Sequence, residues 1–318
     1  MIYYIAMFIA GLVLVLKGGD SFVDSSTAIA RRFGIPRVVI GGTIVSLATT
    51  APELVVSTTA SYMGDSGIAL GNALGSAIAN IGLIVSVSAI LAPIAIDVED
   101  FRRRSLWMFV SAILVLVFAW DLVVDRRTGL ILVAIAVLYL SLNTLRAVLE
   151  RKKETAPKPS KEEDIPLIKA ITTFLFGAVL VIVGSKMLVN SGIEIAKALG
   201  IPSLIIGLTA VAVGTSLPEL VTAISSAKKK VADLSIGNIV GANILNLGFI
   251  TGISATINPL TLDSFTRSYA FPWLFIMIFG MMIIFWRKGK MSKRDGIIML
   301  SLYIIYNLGL LVYSMMSH

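Results

Sequence analysis

Apolar runs separated by short polar breaks follow one another along almost all of this 318-residue chain. About 20 apolar residues cross a bilayer core as a helix. The runs predict ten such spans, over 3–28, 37–61, 69–92, 104–120, 128–147, 169–195, 203–226, 233–256, 268–286 and 296–315. The polar stretch 149–166, rich in Lys, Glu and Pro, reads as a solvated linker between residues 1–148 and 167–318. Each half then holds five spans. Because five is odd, the second half enters the membrane from the opposite side. The expected fold is an all-α membrane protein of ten transmembrane helices in two inverted five-helix repeats.

The halves are also copies in sequence. Gly34-Ile35-Pro36 through Glu53-Leu54-Val55 reappears 166 residues later as Gly200-Ile201-Pro202 through Glu219-Leu220-Val221, with twelve of twenty-two positions identical. Downstream, Gly71-Asn72 matches Gly237-Asn238, Gly75 matches Gly241, and Asn80 matches Asn246. The repeat copies extend over about 34–85 and about 200–251.

Composition narrows the chemistry. The chain is 57% hydrophobic and 14% charged, with no cysteine and a single histidine, the terminal His318. Thiol chemistry, disulfides and an imidazole base are therefore absent, and no His-rich metal motif is present, so the chain reads as no enzyme and needs no cofactor. The opening Ile2-Tyr3-Tyr4-Ile5 has no basic flank and reads as the first span rather than a cleaved leader. The net charge of +8 lies in loops and calls for no nucleic acid. Twenty-one Lys and Arg fall on the linker side of the predicted spans and four on the other, Arg126, Arg127, Lys197 and Arg267. That asymmetry places the linker in the cytoplasm and both termini outside a cell membrane that the chain crosses repeatedly. Lys17 and Lys186 fall within spans and read as snorkelling or locally paired side chains.

Each repeat carries one glutamate within a span, and an ionisable group there marks a functional site. Pro52 and Pro218 precede these glutamates and should break their helices, freeing carbonyls that must line a cavity or find a partner. Thr49, Thr50 and Glu53 in one copy, with Thr215, Ser216 and Glu219 in the other, make an all-oxygen set suited to a hard cation. Two carboxylates balance one Ca²⁺. Small residues around Gly71, Gly75 and Ser76, and around Gly237 and Gly241, allow close helix approach, while Asn80 and Asn246 sit opposite the glutamates.

Gly214-Thr215-Ser216-Leu217-Pro218-Glu219-Leu220, followed by a Gly-Asn-x-x-Gly-x-Asn stretch, resembles the paired repeats of the sodium/calcium exchangers, members of the calcium/cation antiporter superfamily. The resemblance covers essentially the whole chain. It implies antiport of Na⁺ against Ca²⁺ by alternating access, in a protein that works as a monomer in the lipid bilayer. It also implies a calcium site between Glu53 and Glu219 with sodium sites beside it: Ser76, Thr215 and Ser216 joining Glu53 on the outer side, Thr49 and Thr50 joining Glu219 on the inner side, Asn80 and Asn246 in the middle. Three positions depart from the family pattern. Alanines 48 and 51 replace its glycine and leucine, and Ala242 replaces the serine that Ser76 represents, taking a hydroxyl from the inner sodium site. Asn246 stands where potassium-dependent relatives carry aspartate, which favours a potassium-independent exchanger. The remaining readings are a proton/calcium exchanger, whose Gly-Asn-x-x-Glu pattern is missing here, a potassium-dependent exchanger, and a passive cation channel.

Overall fold

The computed structural model describes residues 1–32, 45–151, 166–228 and 232–316. The start of the first repeat copy (34–44) and most of the linker (152–165) lie outside the described residues, as does His318. The helices, in order, are α1 (Ile2–Arg32), α2 (Val45–Thr49), α3 (Ala51–Tyr62), α4 (Ser66–Leu91), α5 (Val98–Phe118), α6 (Arg126–Arg151), α7 (Leu167–Leu199), α8 (Ser203–Thr215) and α9 (Leu217–Lys228). Then come α10 (Ala232–Ile244, continued by Leu245–Ile250 and Thr251–Ile257), α11 (Thr266–Lys288) and α12 (Lys293–Met316).

Among the described residues six helices are long and apolar enough to cross a membrane: α4, α6, α7, α11, α12 and the stretch Ser235–Ile257 of α10. Their burial separates core from rim. In α4 and α10, 78% and 83% of the most apolar window is buried, against 22%, 18% and 28% in α6, α7 and α12. The rim helices turn Leu130, Leu138, Leu175, Phe176, Val179 and Leu308 outward. Such an apolar exterior fits acyl chains, because a helix satisfies its own backbone hydrogen bonds and asks nothing of the solvent.

Short antiparallel strand pairs tie the halves together. Ile94–Ala95 pairs with Lys290–Met291, and Val123–Val124 pairs with Leu260–Thr261. Ile94 and Leu260 are 166 positions apart, as are Val124 and Lys290, so one pairing repeats the other with the halves exchanged. The same exchange appears in the two buried helices. Both depart from α geometry into a π-helical turn at matching places, Asn80–Val85 in α4 and Leu245–Ile250 in α10. Such turns shift the side-chain register within one helix and occur often at functional sites.

The long helices α1 and α7 run antiparallel along one another outside this core. A Cβ on Gly11 would lie 2.8 Å from the Gly184 carbonyl, and one on Gly184 would lie 2.7 Å from the Gly11 carbonyl. The absent side chains set this spacing, and any larger residue would push the pair apart. Near it, Tyr3, Tyr4, Met7, Lys186, Asn190 and Glu194 line a cleft of about 330 Å³. Lys186 is exposed there, while Glu194 pairs with Lys197 at 2.8 Å.

A candidate cation site between two broken helices

The expected breaks fall where the prolines place them. One helix ends at Thr49 and the next begins at Ala51, with Thr50 between them at φ −84°, ψ 3°. In the other half Ser216 separates α8 from α9 at φ −84°, ψ 7°. Pro52 and Pro218 have no N–H to return to the preceding turn, so the chain restarts its helix from the break. Glu53 and Glu219 therefore occupy the first turns of α3 and α9. Uncapped N–H groups and the helix dipole favour negative charge at that end. The two breaks are one solution reached twice.

Both glutamates are completely buried. The Ser216 hydroxyl donates to Glu53 Oε1 at 3.0 Å, which joins the halves directly. Glu53 Oε2 and both oxygens of Glu219 have no hydrogen-bond partner among the described residues. No ion pair reaches either carboxylate among those residues, and the two are close enough to repel one another. Unpaired buried anions are strongly unfavourable, so the arrangement calls for a cation to complete it. With only two carboxylates and no histidine or cysteine, the remaining ligands must be neutral oxygens.

Those oxygens surround the break. Thr49 and Thr50 are buried, and their hydroxyls donate to the Ser46 carbonyl at 3.3 and 2.7 Å. Thr215 donates to Asn72 Oδ1 at 3.0 Å and to the Val211 carbonyl at 3.1 Å. Ser76 reaches across to the Ala212 carbonyl at 3.4 Å. Asn80 donates to Asn243 Oδ1 at 2.9 Å, leaving its own Oδ1 unpartnered among the described residues, while Asn246 has neither side-chain atom paired there. Of the hydroxyls expected beside the glutamates, only that of Ser216 hydrogen-bonds to a carboxylate. The others bond to backbone carbonyls or to an asparagine. Ala242 is fully buried and offers no hydroxyl where Ser76 has one.

Glycines bring the supporting helices this close. A Cβ on Gly71 would stand 2.8 Å from the Leu204 carbonyl, and one on Gly75 2.6 Å from the Leu208 carbonyl. Gly207 fits between Gly67 and Gly71 in return. Helix α4 thus lies backbone to backbone on α8, and its polar side chains reach the opposite half. In the second half Gly241 faces Ser46, whose hydroxyl donates to Asn238 at 2.9 Å.

Two asparagines do more than the sequence suggested. Asn72 clamps both halves: its Nδ2 donates to the Glu53 carbonyl at 3.2 Å and to Ser57 at 2.9 Å, while its Oδ1 accepts from Thr215. Its place in the repeated Gly-Asn pair was the available signal. Asn243 pairs with Asn80 and closes the Gly237-Asn238-x-x-Gly241-x-Asn243 stretch of the second copy, but its counterpart 166 positions earlier is Ala77, so matching the two copies gave it no weight.

The profile of the sodium/calcium exchanger protein family matches residues 3–145 and 169–312. Sodium/calcium exchanger MaX1 of Methanosarcina acetivorans is 32% identical over 333 residues, covering 93% of this chain and 95% of that one. Inner membrane protein YrbG of Escherichia coli is 33% identical over 310 residues, covering 95% and 94%. Among solved structures, the sodium-calcium exchanger NCX_Mj soaked with 10 mM Na⁺ and 10 mM Sr²⁺ superimposes with a TM-score of 0.66 at 31% identity, covering 96% of this chain and 97% of that one.

Proposed function

The chain belongs to the sodium/calcium exchanger protein family, and we propose that it is a secondary active antiporter in which Na⁺ moving down its gradient drives Ca²⁺ across the membrane. The observation that carries the reading is the pair of fully buried carboxylates, three of whose four oxygens lack a hydrogen-bond partner among the described residues. Calcium binds between Glu53 and Glu219. Sodium ions use the same carboxylates with Thr49, Thr50, Ser76, Thr215 and Ser216, and Asn80 and Asn246 flank the middle. Because both ions need the glutamates, they exclude one another. An empty site leaves two anions unpaired away from water, and this cost opposes switching without cargo, which prevents leak.

We assign the chain ten spans in two inverted halves, 1–148 and 167–318, joined by a cytoplasmic linker at 149–166, with both termini outside the cell membrane. The exchanged strand pairs and the matching π turns support two-fold related halves. A monomer contains both glutamates and suffices for transport. Helices α1 and α7, which meet at Gly11 and Gly184 on the outside of the core, are the pair that moves to alternate access. Asn246 in place of an aspartate supports exchange without potassium.

Radioactive calcium uptake into sodium-loaded proteoliposomes tests the reading. Uptake that requires an outward sodium gradient, persists without potassium and disappears in Glu53→Gln and Glu219→Gln is the expected result. Uptake driven only by a pH gradient would make the protein proton-coupled, and flux needing no counter-ion would make it a channel. Normal exchange by either glutamine variant would remove the carboxylates from the site.

A further inference from the structure

Asn80 and Asn246 are equivalent in sequence and both fully buried, yet the structure treats them differently. The difference is Asn243. Its Nδ2 lies 3.2 Å from the Ala77 carbonyl and 3.6 Å from Met108 Sδ. A backbone carbonyl only accepts, so the amide nitrogen of Asn243 must face it. The Asn243 oxygen is thereby turned toward Asn80, where it accepts from Nδ2 at 2.9 Å. That bond in turn fixes the Asn80 amide and leaves its Oδ1 buried without a partner among the described residues. Asn246 receives no such hold: the residue equivalent to Asn243 is Ala77, and neither Asn246 side-chain atom is paired there.

We propose that Asn243 is a positioning residue that fixes the Asn80 amide with its oxygen toward the transported cation, making two sequence-equivalent asparagines unequal partners of the ion. The proposal rests on the antiport reading and on Asn80 facing the ion. A pre-aimed oxygen strengthens cation binding without entering the movement that follows, because the ion pays less to organise its ligands. Removing Asn243 therefore raises the calcium concentration needed for half-maximal uptake and leaves the maximal rate in place. Asn246, whose side chain makes no bond to Asn243, keeps its contribution whatever stands at position 243.

The test is a double-mutant cycle on reconstituted full-length protein, measuring sodium-driven calcium uptake against calcium concentration for wild type, Asn243→Leu, Asn80→Ala and the double variant. Leucine keeps the branch at Cγ, in a somewhat larger side chain, and removes the acceptor together with the amide donor. The expected result is a rise of about three- to tenfold in the half-saturating calcium concentration for Asn243→Leu, the size of one hydrogen bond, with the maximal rate unchanged. No further rise follows when the substitution is added to Asn80→Ala. Equal half-saturation in wild type and Asn243→Leu overturns the proposal. So does a rise that multiplies with that of Asn80→Ala, or a loss confined to the maximal rate, since each means that Asn243 does not act through Asn80. If the leucine variant does not reconstitute, Asn243→Ser, which keeps an acceptor in less volume, carries the same cycle with a smaller rise and the same overturning outcomes. A wild type whose uptake ignores the sodium gradient refutes the exchanger reading instead, and is seen before any variant is compared.

Discussion

Ser216 donates its hydroxyl to Glu53 Oε1 at 3.0 Å, whereas Thr50, its counterpart in the first half, donates to the Ser46 carbonyl at 2.7 Å. A β-branched threonine in a helix readily bonds back four residues, and the extra methyl restricts its rotamers. The two glutamates therefore start from different states: Glu53 is held by one cross-half bond, and Glu219 by none among the described residues. Bonds to a charged acceptor are the stronger kind, about 1.5–3 kcal/mol. We expect Ser216→Ala to lower calcium affinity by about tenfold or more on that basis, and Thr50→Val by less, measured as half-saturating calcium in the uptake assay. Equal losses would mean that the unequal hydrogen bonding does not persist when an ion is bound.

Much of the architecture was legible because it rests on two strong signals. Long apolar runs locate membrane helices, and a proline beside an intramembrane carboxylate marks a break; both breaks lie where Pro52 and Pro218 placed them. Helix ends were less legible. Helices α1 and α7 extend past their apolar runs, to Arg32 and Leu199, because a polar helix end outside the hydrocarbon carries no hydrophobic signature. The π turns and the two-residue strand pairs left no trace in composition. The repeat was informative for residues present in both copies and blind to those present in one. Glu53 and Glu219 stood out together, while Asn243, although it ends the Gly-Asn-x-x-Gly-x-Asn stretch, had no matching copy, because its partner position is an alanine.

Gly71 sets the approach of α4 to α8. A Cβ on Gly71 meets the Leu204 carbonyl at 2.8 Å. Backbone cannot move aside as a side chain can. Gly71→Ala should therefore destabilise the protein by about 1–3 kcal/mol, the usual cost of forcing an atom into packed space. Thermal unfolding of wild type and Gly71→Ala in detergent checks this, and equal melting temperatures would contradict the close approach of α4 to α8.

At position 242 a single oxygen is the variable. Ala242 is fully buried and corresponds to Ser76, whose hydroxyl bonds to the Ala212 carbonyl at 3.4 Å. Ala242→Ser restores the hydroxyl with little added volume. We expect it to steepen or strengthen the sodium dependence of exchange while leaving half-saturating calcium nearly unchanged, because a neutral hydroxyl contributes to a monovalent ion's small shell more than to a calcium ion already held by two carboxylates. Sodium titrations of calcium uptake for wild type and variant decide the matter. An unchanged sodium curve would show that this position faces no sodium ion.

The proposed movement of α1 and α7 makes a mechanical demand that a cysteine-free chain is well suited to test. A Cβ on Gly214 would lie 2.7 Å from Leu12 Cδ1, so residue 12 of α1 directly abuts α8 of the core. With no native cysteine to interfere, Leu12→Cys combined with Gly214→Cys is the only thiol pair in the protein. If α1 slides against the core in each cycle, oxidation of this pair should stop calcium uptake and reduction should restore it. Each single variant should respond to neither treatment, which separates the lock from any damage done by the substitutions. Gly214 lies next to Thr215, so the reduced double variant sets the baseline. Uptake that continues at that baseline after complete cross-linking would place the moving element elsewhere and leave α1 part of the fixed frame.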